Sequence, residues 1–205
     1  MKIPQMTKKE VLELAKKSWV KFKREGDLPT TFIFCIRGYW PISMGSTNKN
    51  DVNQWDDAWF LLAPNAFVAI PANVDPTRYG WNAGAGKPMA VLNPGFWPFR
   101  LGAHKGRSPA LRQITEEEAA KIPGVPNKGF FSVTRTYASG DSRNWLDVNY
   151  FAINMHRGGI NSTSSEGCLT APRNLFDDFM NAVWKCAKED KLDFVWVGLI
   201  DKPVS

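Results

Sequence analysis

Cys168 and His156 are the residues whose types and spacing allow joint chemistry in this sequence. They stand twelve positions apart in a string that runs from Ile153-Asn154-Met155-His156-Arg157-Gly158-Gly159 to Ser164-Ser165-Glu166-Gly167-Cys168-Leu169-Thr170. A thiol attacks as its thiolate, and an imidazole is the side chain suited to take the proton near neutral pH. The turn between them is rich in Gly, Asn, Ser and Thr, which leaves backbone N–H groups free to face a ligand. Gly167 lets the chain come close beside the thiol, and loops of this kind build oxyanion holes. The chain has only two histidines, His104 and His156, so the candidates for a general base are few. The plainer alternatives are a structural hydrogen bond for each His and a small buried hydrophobe for Cys168.

The elements that must position these residues are legible in outline. Thr7 and Glu10 form a capping-box pattern, and Val11, Leu14, Ala15, Ser18 and Phe22 recur at helical spacing until Gly26. From Thr30 onward the texture becomes short β-favouring runs broken by Pro and Gly. Strands are expected at Thr31 to Ile36, Trp59 to Leu62, Ala66 to Ile70, Ala90 to Leu92 and Phe96 to Leu101, and again at Phe130 to Tyr137, Tyr150 to Met155 and Phe194 to Ile200. Glu116 to Lys121 reads as a short surface helix. Thr170 and Pro172 open a second long helix, with Leu175, Phe176, Phe179, Val183 and Cys186 on one side, which makes Cys186 a core residue. Asp56 and Asp57 are adjacent on a strand, so they point to opposite faces and do not form an acid pair.

The string from His156 to Cys168 resembles the signature of the L,D-transpeptidase family, in which a His-Gly element is followed by Ser-His-Gly-Cys and then Arg or Asn two residues on. His156, Ser165, Gly167 and Cys168 match in order, while Glu166 stands at the second His and Thr170 at the Arg or Asn. The resemblance implies an α+β, mainly β fold: a β-sandwich or barrel with an N-terminal helix and a helix following the catalytic Cys. It implies Cys168 as the acylated nucleophile, peptidoglycan stem peptides as substrate, and no cofactor or metal. With Glu166 in place of the family's base, His156 takes that role, held by Glu166 or Asp147. The stretch from about Trp55 to Thr170 is also similar to phage and prophage proteins with the same ending. Arg157, Arg112 and His104 are then candidates for gripping the substrate, the arginines through its carboxylates.

Two other readings stay open. One makes His104, His156, Glu166 and Cys168 ligands of a zinc ion in a peptidase, although their spacing follows no zinc-protease pattern. The other is a non-catalytic wall- or glycan-binding module on a decayed transpeptidase scaffold, which works through Trp and Tyr side chains. The substitution of Glu166 argues for it.

Composition bounds the rest. With 205 residues, 43% of them hydrophobic, the chain suits a single catalytic domain over 1–205, made of an N-terminal helix within 1–26 and a sheet-rich body over 30–205. Three widely spaced cysteines, Cys35, Cys168 and Cys186, exclude a full disulfide framework. The net charge of +6 favours an anionic partner, and here the wall is expected rather than nucleic acid. No run is apolar and long enough for a signal peptide or a membrane span. The expectation is a chain made in the cytoplasm that reaches the wall by lysis or export, with no stable membrane insertion. Its oligomeric state is open.

Overall fold

The computed structural model describes residues 5–40 and 52–201; of the polar stretch from Met1 to Thr7, residues 1–4 lie outside them. Helix α1 (Lys8–Lys21) starts at the expected cap: the Thr7 hydroxyl accepts from the Glu10 N–H, and the Glu10 carboxylate accepts from the Thr7 N–H at 2.7 Å. Its buried stripe is Val11, Ala15, Ser18 and Trp19. The strands are β1 (Phe32–Arg37), β2 (Asp57–Ala63), β3 (Ala66–Ala72), β4 (Trp81–Asn82), β5 (Lys87–Leu92), β6 (Gly95–His104), β7 (Ser108–Gln113), β8 (Phe131–Thr136), β9 (Trp145–Asn149), β10 (Asn154–Arg157), β11 (Leu169–Ala171) and β12 (Phe194–Asp201). Helix α2 (Glu116–Ala119) is one turn, and α3 (Arg173–Glu189) is the long helix after Cys168.

The architecture is α+β and mainly β. Eight strands form one sheet in the order β11-β10-β7-β6-β12-β1-β2-β3, and β4-β5-β8-β9 form a second. The large sheet curls into a nearly closed barrel: Asn73, just past β3, and Thr170 in β11 exchange N–H···O bonds of 2.8 Å in both directions.

Both faces of the large sheet's middle are covered, so β1 is buried at every position, not at alternate ones. Phe32, Phe34 and Ile36 pack beneath α1 with Phe60, Phe96 and Trp196. Ile33 and Cys35 point the other way, into a larger core with Trp59, Leu61, Val197 and Leu199. Helix α3 closes that core with Phe176, Phe179, Met180 and Val183, the Phe179 ring lying 5.7 Å from Trp59. The second sheet adds Leu92, Phe131 and Val133. Each fully buried Phe contributes about 2–3 kcal/mol of transfer free energy.

The buried pair Asp56 and Asp57 belongs to the frame. Asp57 accepts from the N–H groups of Gly38 (2.7 Å) and Val74 (2.6 Å), which ties the ends of β1 and β3 together. Arg37 offsets part of the negative charge, with Asp75 at 3.2 Å and Asp201 at 2.7 Å, while burial, Asp75 and Asp56 push the Asp57 carboxyl well above its ordinary value. Cys186 is buried in α3, as its spacing indicates.

The structure corrects two expectations beside the site. Thr170 is a strand residue, and α3 begins at Arg173 with Pro172 as its cap. The expected strand from Tyr150 to Met155 begins only at Asn154, because Ala152 has φ of +55°, which breaks extended geometry.

Candidate functional site

Strand alternation decides which side chains meet. Leu111, Met155 and Leu169 enter the large core, so their neighbours Arg112, His156 and Cys168 face the other side of the sheet. On β6, Phe99 belongs to the same core and Leu101 packs against it, which sends Arg100 and His104 to the side of His156. A cleft of about 730 Å³ opens there, against the second sheet. Its lining includes Lys87, Ala90 and Arg135 from the second sheet, His104 and Lys105 from the tip of the β6–β7 hairpin, the segment 149–154, and Glu166, Gly167 and Cys168.

The loop before Cys168 is built by its own side chains. Ser165 Oγ donates to the Cys168 carbonyl at 2.6 Å and accepts from the Gly167 N–H at 3.1 Å. The Ser165 N–H donates to Thr77 Oγ1 at 2.7 Å, and the Thr77 N–H donates to the Ser165 carbonyl at 2.7 Å. Gly167 sits at φ +140° with Ala90 pressed against it: a Cβ there would lie 2.8 Å from the Ala90 carbonyl oxygen. Ser165 and Gly167 thus position the thiol. The Gly167 N–H is committed to Ser165, and the donor facing the sulfur is the Asn154 N–H, at 3.5 Å from Cys168 Sγ.

Burial pushes the Cys168 thiol above its ordinary value. Asn154 opposes this through its backbone N–H and its side chain, Glu166 adds to the rise, and Lys105 pulls the value down. The thiol therefore rests protonated at neutral pH.

The two histidines form one unit. β7 lies between β6 and β10, and the imidazoles of His104 and His156 stack across it with centroids 4.0 Å apart and planes at 19°. His104 lines the cleft; His156 is buried behind it and is not part of the lining. His156 Nδ1 lies 2.8 Å from the Arg157 carbonyl, which can only accept, so Nδ1 carries the hydrogen and Nε2 is the basic nitrogen. Burial lowers the His156 pKa to about 4 against the help of that carbonyl, and His104 and Lys105 lower it further. Burial, then Lys105, also lowers His104. His104 Nδ1 is buried without a hydrogen-bond partner among the described residues.

The other sequence candidates lie elsewhere. Arg112 is paired with Glu118 of α2 at 2.5 Å, and Arg157 with Asp177 of α3 at 3.1 Å; neither lines the cleft. Asp147 belongs to β9 and pairs with Arg135 at 3.0 Å. Glu166 is exposed on the cleft rim. Among the described residues no group of three or more His, Cys, Asp and Glu comes together to hold a metal, so the four zinc-ligand candidates do not assemble into a centre. No helix among these residues is long and apolar enough to cross a membrane.

Sequence reasoning missed Asn154, Lys105 and the cleft wall from Asn149 to Ala152. Gly106, at φ +67° in that hairpin tip, is the residue a sequence reading could have used to find it. Compared with protein-family models, curated proteins and solved structures, the chain matches none of them.

Proposed function

We propose that this protein is a cysteine-dependent acyl-transfer enzyme acting on peptidoglycan stem peptides, with an L,D-transpeptidase-like catalytic domain. The observation that carries the reading is the shared cleft: Cys168, held by the Ser165–Gly167 loop, faces the same space as His104, which stacks on His156. The thiol gives its proton to the neutral His104–His156 pair as Sγ attacks the substrate carbonyl carbon. The Asn154 N–H, which faces Sγ at 3.5 Å, then donates to the developing oxyanion. The imidazolium returns its proton to the departing amine, leaving a thioester on Cys168. Water then yields a hydrolase and a second amine yields a transpeptidase.

The test is incubation of wild type and Cys168→Ala with peptidoglycan sacculi, with and without a chelator, followed by mass spectrometry of soluble muropeptides. Products that need Cys168 and ignore the chelator are expected; chelator-sensitive products would overturn the thiol mechanism. Burial, with Glu166 adding to it, raises the thiol's pKa, which favours one rival, a binding module without chemistry. Sedimentation with sacculi without any products would establish that rival.

A further inference from the structure

The backbone from Trp145 to Arg157 has one filled edge and one edge that changes hands. On the filled side β8 pairs with β9, and β7 pairs with β10. Gln113 bridges the gap: its side chain donates to the Asn149 carbonyl (3.2 Å) and accepts from the Phe151 N–H (2.9 Å), while its N–H donates to the Ile153 carbonyl (2.8 Å). Along β9, alternation therefore turns the backbone groups of Leu146 and Val148 to the opposite edge, and the hydrogen bonds of Tyr150, Ala152 and Asn154 put theirs on the same side.

On that opposite edge β11 flanks β10, and Cys168 takes the Asn154 N–H just before β11 starts. Further back, asparagine side chains occupy the edge. Asn154 Nδ2 donates to the Ala152 carbonyl and Asn149 Oδ1 accepts from the Tyr150 N–H, both at 2.8 Å. Along β9 itself no strand follows among the described residues, since β9 ends the second sheet. Its side chains are unusually apolar for an open edge: Leu146 is 65% exposed and Val148 43%.

We propose that this open edge of β9 is the docking strand for the acyl-donor peptide, which pairs with Leu146 and Val148 and runs in line with β11 to Cys168. The inference rests on the acyl-transfer reading and specifies how its substrate lies. Continuity selects the occupant: Asn149 and Tyr150, where β9 ends, line the cleft that contains Cys168, so a strand laid along the edge delivers its carbonyl to the thiol. The bound peptide displaces Asn149 Oδ1 from the Tyr150 N–H. Lys87 and Lys105 on the cleft wall attract a peptide that carries carboxylates. Strand addition of this kind draws affinity from main-chain bonds and selectivity from alternate side chains.

Val148→Pro removes an N–H from the open edge and leaves the β8 ladder in place, a substitution that edge strands tolerate. The expected result is a loss of about tenfold or more in Cys168-dependent muropeptide release from sacculi, the scale of one strained or missing main-chain bond. Alkylation of Cys168 by iodoacetamide stays within about twofold of wild type, a change too small to count as loss of a contact. Release by Val148→Pro at the wild-type rate overturns the proposal. A wild-type dimer that Val148→Pro dissociates in light scattering also overturns it, by giving the edge to a second copy. If Val148→Pro does not fold, hydrogen exchange of the wild type with muramidase-released muropeptides decides: slowed exchange at Leu146, Val148 and Tyr150 supports the docking edge, and protection confined to other segments, or none, removes it. Wild type that shows this protection but forms no product keeps the edge and loses the acyl-transfer reading.

Discussion

The imidazoles of His104 and His156 stack with centroids 4.0 Å apart, one facing the cleft of Cys168 and the other buried behind it. Burial makes both rings poor hosts for charge, and His104 and Lys105 add to this at His156.

This arrangement sets a pH window for stability. The His156 pKa falls from an ordinary 6.5 to about 4 on folding, so the unfolded chain takes up a proton first as pH falls. Stability is complete above about pH 6.5 and declines by about 3 kcal/mol from this group as pH drops to about 4. Urea unfolding at pH 7 and pH 4 is expected to show this decline in wild type, and a shallower one in His156→Gln.

The thiol titrates in the other direction. Alkylation of Cys168 by iodoacetamide, followed by peptide mapping to separate it from Cys35 and Cys186, is expected to keep accelerating through pH 9 without a plateau, because burial raises the pKa above 9.0. Glu166→Gln removes a charge that opposes the thiolate and speeds the reaction at pH 8, whereas Lys105→Met slows it. Each change is severalfold, at most about fivefold, as befits charges near solvent. A slower Glu166→Gln would contradict this placement of charge.

Gly167 admits no side chain. A Cβ would meet the Ala90 carbonyl oxygen at 2.8 Å and the Ala90 Cβ at 3.0 Å, and φ is +140°. Gly167→Ala is expected to lose about 2 kcal/mol or more in urea unfolding, with Cys168 displaced and its alkylation rate altered.

Ser165 serves the loop through both roles of its hydroxyl, as donor to the Cys168 carbonyl and acceptor from the Gly167 N–H. Ser165→Ala leaves two polar groups unpaired in a buried turn and is expected to cost about 1–3 kcal/mol. Muropeptide release from sacculi by this variant falls further than the stability loss explains, because the thiol loses its fixed position.

Arg112 and Arg157 make the contrasting case. Both guanidiniums are already paired, with Glu118 and Asp177, and stand away from the cleft. If the acyl-transfer proposal holds, Arg112→Ala and Arg157→Ala are expected to change KM for muropeptides by less than about twofold, since neither lines the cleft. A large rise in KM would return them to the site.

Local signals carried much of the architecture. Thr7 with Glu10 marked the first helix, and continuous apolar runs marked β1, β2 and β12, because caps and strand cores are specified by neighbours in the chain. β9 escaped notice because four of its five residues are exposed and no alternation survives. β11 is three residues long, too short for a pattern, and β7 is interrupted by Pro109 and Arg112.

By itself the sequence determined that Cys168 follows a loop requiring glycine, that two histidines are available, and that a mainly β body with two long helices surrounds them. Tertiary structure decided the rest. Which histidine meets the cleft depends on β6 and β10 lying either side of β7, and the wall opposite Cys168 comes from a second sheet whose strands lie far away in the chain. Linear spacing carries neither relationship, because strand order and the curl of a sheet arise from pairings between distant segments, whose free energy belongs to the assembled core.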